Sequence, residues 1–196
     1  MAHTQDQQLD GLTVAILVSD LFEQVELTEP QHALEAAGAR TVLISNKGPL
    51  VYGMHHDQRG DAFRVDVELQ RARPEDYDAL LLPGGTFNAD SLRMVEGAQR
   101  FVQAFEAARK PIGVICHGPW LLVSAGLVPG RTLTSWPSLQ DDIRNAGGTW
   151  VNREVVVDTN WISSRKPDDL PSFKRELIGA LARAPELAAN PMPITE

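Results

Sequence analysis

The chain carries one cysteine, Cys116, in the run Ile115-Cys116-His117-Gly118-Pro119, with PIGVI ahead of it and WLLV behind it. An apolar strand-like run followed by a helical one places the thiol at a strand-to-helix elbow, where a side chain projects from the sheet edge into a crevice. Unpaired amides and the helix dipole at such a spot favour an anion, which predicts a thiol below its ordinary value of about 8.5 and a thiolate nucleophile. Free cysteine is also among the most buried residue types, so an inert core filler is the competing reading. The Gly-Pro turn that follows favours a functional thiol, because a space-filling cysteine requires no such turn.

His117 is the nearest base in sequence, yet neighbours at i and i+1 on a regular helix do not face each other. Its ring serves Cys116 only if the elbow is distorted; otherwise it is a surface or capping histidine. Its backbone N–H is a separate candidate, since the amide after an elbow nucleophile forms half of an oxyanion hole. Pro83-Gly84-Gly85 follows the apolar DALLL, and Gly85 N–H is the choice for the other half, against a plain turn. Glu23 and Glu26 stand in a third stretch, Ser19 to Thr28. A carboxyl buried beside a thiol donates a hydrogen bond when protonated or works as an acid–base group; two glutamates in a surface loop by themselves carry little weight.

These stretches are positioned by a repeating pattern of buried strands and amphipathic helices. LTVAILV (12–18), RTVLIS (40–45), DALLL (78–82) and PIGVI (111–115) are apolar runs of the kind buried on both faces of a parallel sheet. Between them, Thr28 with Gln31 in capping-box register, Pro30 in the first turn and Gly38 as a stop predict a helix that begins after Glu23 and Glu26. Further helices are predicted over 98–108, over 141–146 and from Pro171 onward, with Phe173, Leu177, Ile178 and Leu181 facing inward. Residues 51–69 read as a small antiparallel excursion, and Asp158-Thr159-Asn160 as a hairpin turn. The alternation defines an α/β fold, a three-layer sandwich around a mostly parallel sheet. Residues 1–11 are expected to be loosely ordered, 12–182 to form one domain, and the proline-containing 183–196 to be irregular.

Composition narrows the function. A net charge of −8 and a pI near 5.1 disfavour nucleic acid and anionic membranes as partners. The N-terminus lacks the basic start and apolar stretch of a secretion signal, and no apolar run reaches the roughly 20 residues a bilayer requires, so a soluble cytoplasmic chain is expected. One cysteine supplies neither an internal disulfide nor a multi-cysteine metal site. GxGxxG, Walker-type, HExxH and EF-hand patterns are missing, and His55-His56 lacks evident further ligands, so no cofactor or metal is expected.

LLPGG, KPIGVICHGPWLLVSAGLVPGR, NAGGTWV, EVVVD and WISSRKPDDLPSF together resemble the PfpI, or intracellular protease I, family, from about Leu12 to Leu181. That family belongs to the class I glutamine-amidotransferase-like superfamily, with the Parkinsonism-associated deglycase and bacterial stress proteins among its relatives. The resemblance implies a flavodoxin-like sandwich and a homo-oligomer. It implies Cys116 as nucleophile with His117 beside it, Glu26 as the glutamate contacting the thiol, Glu23 as a second nearby acid, and Gly85 and His117 as the oxyanion-hole amides. Members with peptidase activity take a third acid from a neighbouring subunit, in the loop after PGG. Here that segment, TFNADSLR, is one residue longer, and Asp90 is its only acid.

Two functions follow. One is a stress-response cysteine hydrolase acting on peptides or on small carbonyl substrates such as methylglyoxal adducts, in the manner of a deglycase or glyoxalase. The other is a stress protein without turnover, a chaperone or a redox sensor working through oxidation of Cys116.

Overall fold

The computed structural model describes residues 8–189. The chain runs through β1 (Thr13–Val18), β2 (Phe22–Glu23), α1 (Gln24–Ala36), β3 (Arg40–Ser45), β4 (Leu50–His55), β5 (Gln58–Arg64), β6 (Val67–Glu68) and β7 (Ala79–Leu82). It continues with α2 (Thr86–Arg93), α3 (Glu96–Ala107), β8 (Ile112–Ile115), α4 (Pro119–Ser124), β9 (Thr132–Leu133) and α5 (Gln140–Asn145). The last elements are β10 (Thr149–Trp150), β11 (Val155–Asp158), β12 (Trp161–Ser164) and α6 (Leu170–Ala189).

Seven strands form the central sheet in the order β11-β12-β8-β7-β1-β3-β6. All neighbours are parallel except the β11–β12 hairpin, which turns at Thr159-Asn160. The reason is visible in β1 and β7, whose residues from Val14 and Ala79 onward are buried on both faces. One face packs Ala15, Leu17, Leu80, Leu82 and Val114 against Phe101, Phe105, Leu121 and Ile143 of α3, α4 and α5. The other packs Val14, Ile16, Leu81 and Ile115 against Leu27 and Leu34 of α1 and Phe173 and Leu177 of α6. This is the three-layer α/β sandwich expected, and β4 pairs with β5 as the antiparallel excursion.

Several boundaries differ from expectation. Helix α1 begins at Gln24, so Pro30 lies inside it and Glu26 sits in its first turn, not in a loop before it. Thr28 is no N-cap: its hydroxyl donates to Gln24 O, four residues back, at 3.2 Å, the bond of a helix-interior threonine. TFNADSLR is a helix, α2, where a loop was expected. Leu9 is fully buried and its N–H donates to Ala37 O at 2.9 Å, so ordered chain begins ahead of Leu12. Helix α6 runs on to Ala189, through residues expected to be irregular; 1–7 and 190–196 lie outside the described residues. Among the described residues no helix is long and apolar enough to cross a membrane.

Candidate active site

Cys116 follows β8 at the C-terminal edge of the sheet with φ +61, in the left-handed region that costs a non-glycine residue about 1–3 kcal/mol and persists where the surroundings enforce it. Its N–H donates to Ser164 O of β12 at 3.2 Å, and its carbonyl accepts Trp136 N–H at 2.9 Å. Gly118 N–H closes the turn onto Ile115 O at 2.9 Å. The residue is held on both sides, and this distortion lets a sequence neighbour face the sulfur. His117 Nδ1 lies 3.2 Å from Cys116 Sγ, so the ring that a regular helix would turn away is in contact with the thiol.

Two backbone donors aim at the sulfur, the N–H groups of Gly85 and His117. Gly85 has φ +88, a conformation open to glycine and little else. The neighbouring Gly84 fits for a different reason: a Cβ there would lie 2.5 Å from Glu26 Oε2 and 2.6 Å from Cys116 Cβ. The bare Gly84 backbone therefore wedges between carboxyl and thiol, and its N–H donates to Glu26 Oε2 at 2.9 Å.

Glu26 is fully buried. Its Oε1 finds no hydrogen-bond partner of its own among the described residues, and the carboxyl interacts with the Cys116 side chain. Burial raises its pKa from 4.5 to about 8; the Gly84 bond opposes this and the charge of Glu23 adds to it. Burial likewise pushes the Cys116 thiol up, reinforced by Glu26, while the Gly85 and His117 amides pull it down. The expected lowering by the helix terminus is overturned: α4 has six residues, and the cost of charging a thiol only 7% exposed exceeds what the amides return. The carboxyl and the thiol therefore do not carry charge together at neutral pH. His117 is lowered by burial and is neutral there.

Glu23 lies at the mouth of the site. Its N–H donates to Gly84 O at 3.3 Å and its Oε2 accepts His56 N–H at 3.2 Å. Asp90 is on the exposed side of α2 and does not itself line the cleft. The structure thus brings Cys116, His117, Glu26, Glu23 and Gly85 together and leaves Asp90 outside within one chain.

The cleft over the sulfur has a volume of ≈ 330 Å³ and includes residues that the sequence did not single out. Trp136 stacks on the His117 ring at 5.9 Å and 25°. Phe87, from α2, and Met54, His56 and Asp57, from the β4–β5 hairpin, complete the wall. Buried Asn88 works behind it: Ser19 N–H donates to its Oδ1 at 2.6 Å, and its Nδ2 donates to Pro83 O and Gly84 O at 3.0 and 2.8 Å. It ties the β1 and β7 loops together. Exposed tryptophan at Trp136 was the one available signal, since an indole on a loop seldom lacks a surface to cover.

A strand-to-helix elbow holding a cysteine under two amide donors defines an α/β protein built around a single buried thiol. The model of the DJ-1/PfpI family matches residues 12–180, and the chain belongs to that family. It is 41% identical over 170 residues to a deglycase of Pyrococcus abyssi, covering 87% of this chain and 99% of that one. It is 38% identical over 170 residues to the deglycase PfpI of Pyrococcus furiosus, with the same coverage of both chains. The crystal structure of Drosophila melanogaster DJ-1beta superposes with a TM-score of 0.79 at 24% identity, covering 91% of this chain and 96% of that one, a likeness of fold.

Proposed function

We propose that this protein is a cysteine-dependent hydrolase that uses Cys116 on electrophilic carbonyl carbon, with small 2-oxoaldehyde adducts preferred over peptides. One observation carries the reading. The sulfur is surrounded by a neutral imidazole nitrogen at 3.2 Å, two backbone donors and a carboxyl titrating near pH 8.

Each group has a task. His117 Nδ1 takes the thiol proton and passes it to the adduct nitrogen as sulfur displaces the amine or guanidine from the carbon that was the aldehyde, and the Gly85 and His117 amides hold the adjacent oxygen that gains charge in the next step. From the resulting hemithioacetal, Glu26 removes the proton on the sulfur-bearing carbon and returns it to the adjacent carbonyl carbon while the hydroxyl proton shifts to that carbon's oxygen, converting the adduct to a 2-hydroxyacyl thioester. Water then hydrolyses the thioester, releasing the 2-hydroxy acid and restoring the thiol. A value near 8 suits this exchange, because a group titrating close to working pH both gives and takes protons readily. The deglycase names of relatives about 40% identical support this substrate class.

Peptide hydrolysis is the second product of the resemblance, and Asp90 bears on it. Burial is the one influence that shifts the His117 ring, with no carboxylate of the same chain acting on it. A peptidase triad would need Asp90 of a second copy. The face carrying Asp90 also carries Phe87 and Met94, 64% and 79% exposed, and we assign that face to self-association.

Consumption of methylglyoxal-modified N-acetylarginine and release of fragments from a labelled peptide, each with wild type and Cys116→Ala, test the reading. The expectation is consumption lost in the variant and slow peptide release in both. Equal consumption by the two proteins would sink it.

A further inference from the structure

The buried side chain of Gln24, in the first turn of α1, is clasped by the β4–β5 hairpin. Its Nε2 donates to Asp61 Oδ2 at 2.6 Å and its Oε1 accepts Asp61 N–H at 2.8 Å. Gly53 and Gly60 leave it room from the two strands, since a Cβ at either would lie 2.7 or 2.2 Å from Gln24 Oε1. A second tie, His56 N–H to Glu23 Oε2, fastens the hairpin tip to the segment that carries both glutamates. The hairpin is a fixed wall of the cleft, and its tip places Asp57 there together with His56 and Met54.

The charge of that cleft has one sign. Glu23 and Asp57 line it beside Glu26, which burial holds mostly protonated at neutral pH, and among the described residues no lysine or arginine does. The cations that flank Pro167 are engaged elsewhere: Arg165 pairs with Asp169 at 2.7 Å and Lys166 with Asp168 at 2.8 Å. Glu26 adds a fully buried Oε1 without a hydrogen-bond partner among the described residues, and Phe87 and Trp136 offer aromatic faces of the kind that attract cations. A low-dielectric cleft lined by one sign of charge concentrates the opposite sign.

We propose that Asp57 and Glu23 form an electrostatic filter over Cys116 that admits cationic and neutral electrophiles and turns away anionic ones. Of two electrophiles of equal reactivity, the one with a positive charge near the reacting centre is then taken in preference to a carboxylate- or phosphate-bearing one. The inference rests on Cys116 being a nucleophile open to the cleft and requires no turnover.

The probes are 2-aminoethyl and 2-sulfonatoethyl methanethiosulfonate, with labelling followed by intact mass. In each case the thiolate attacks the sulfenyl sulfur, a disulfide forms and methanesulfinate leaves. The ratio of the two rates cancels the thiolate fraction and reports the field at the sulfur. With 2-mercaptoethanol as the reference thiol, the cation-to-anion ratio for Cys116 should be about tenfold higher. Asp57→Asn should lower it about threefold and Asp57→Lys should abolish it, whereas Glu96→Gln, remote on α3, should leave it unchanged. Asp57 is exposed at a hairpin tip, so these variants fold; Glu23→Gln provides a second arm with the same expected direction.

A ratio equal to that of the reference thiol would overturn the filter. So would a ratio that survives Asp57→Lys, or a thiol that neither reagent reaches. Loss of methylglyoxal consumption with the ratio intact would defeat the hydrolase reading alone.

Discussion

Glu26 is a fully buried carboxyl and Glu106 a partly buried one, at opposite ends of one sheet. Glu26 meets Gly84, just past the C-terminal end of β7; Glu106 meets Asn160 and Trp161, where β12 begins. Glu106 accepts from Trp161 Nε1 at 2.7 Å and Asn160 Nδ2 at 3.1 Å, and pairs with Arg131, which stacks over the Trp161 ring. Burial pushes Glu106 up, but Asn160, Trp161 and Arg131 more than offset it, and the group titrates below its ordinary range. Glu26 has one backbone donor and the thiol beside it, its Oε1 is without a hydrogen-bond partner among the described residues, and burial wins. The same residue type is thus held charged where its partners are complete and pushed toward a neutral-range pKa where they are not.

The sharpest way to break that contrast is to remove the charge from each. Glu26→Gln keeps an acceptor for Gly84 but cannot move a proton, so Cys116-dependent consumption of methylglyoxal adducts should fall about 10²–10⁴-fold. Glu106→Gln should leave kcat within about twofold while the protein is folded. Comparable losses in both variants would mean that Glu26 is a strut as well.

Stability should respond in the opposite order. The folded pKa of Glu26 is raised from 4.5 to about 8, so its contribution is complete below pH 4.5, declines through the window between, and is lost above 8. By that linkage, Glu26→Gln should be the more stable protein above pH 8, by about 2–4 kcal/mol. Glu106 is lowered, so its contribution is present above its ordinary value and is lost as pH falls through its folded value. Glu106→Gln should cost about 1–3 kcal/mol at pH 7, by loss of a charge-assisted bond. Urea melts of the two variants at pH 5, 7 and 9 check both signs.

A smaller effect is expected of Gly84→Ala, which leaves both glutamates in place and crowds the backbone between Glu26 and Cys116. Overpacking of this kind costs about 1–3 kcal/mol, and displacement of the carboxyl from the thiol should lower kcat about tenfold. An unaltered kcat would show that the Glu26–Cys116 spacing is not critical.

What the sequence made legible follows from where its signals are local. LTVAILV and DALLL announce buried parallel strands because both faces of those strands are apolar, and PIGVICHGP announces the elbow because strand, turn and helix signals abut there. Gly85 was read from the Pro83-Gly84-Gly85 turn after a buried strand, whereas the family resemblance singled out Glu26, whose place beside the thiol depends on the meeting of three separate segments. Helix α1 was misplaced because it starts at Glu23 without a side-chain cap while Thr28 mimics one. Helix α2 was missed because its N-cap is Gly85, held at positive φ by its role at the sulfur, so the cleft and not the local sequence fixes where that helix starts. The raised thiol was illegible for a related reason: amides near a cysteine can be inferred from an elbow, but the depth of burial that overrides them belongs to the packed fold.

The contrast between complete and incomplete partnership extends, more weakly, to the His117 ring. Its hydrogen-bond contact is the thiol, and otherwise Trp136 and Trp120 enclose it, at 5.9 and 5.3 Å between ring centres. Burial holds the imidazole below its ordinary value, which keeps Nδ1 free to accept. Trp136 is 38% exposed, so Trp136→Ala should remove little core packing and cost under about 1 kcal/mol of stability. It should admit water to the ring, and the His117 titration, followed by NMR, should move upward toward that of a solvated histidine. With the imidazole partly charged near neutrality, the acidic limb of the kcat/KM profile should shift to higher pH in parallel, and KM should rise about threefold as the aromatic wall is lost. A rise in KM with neither the NMR titration nor the acidic limb displaced would leave Trp136 as a substrate contact and remove the ring of His117 from the proton path.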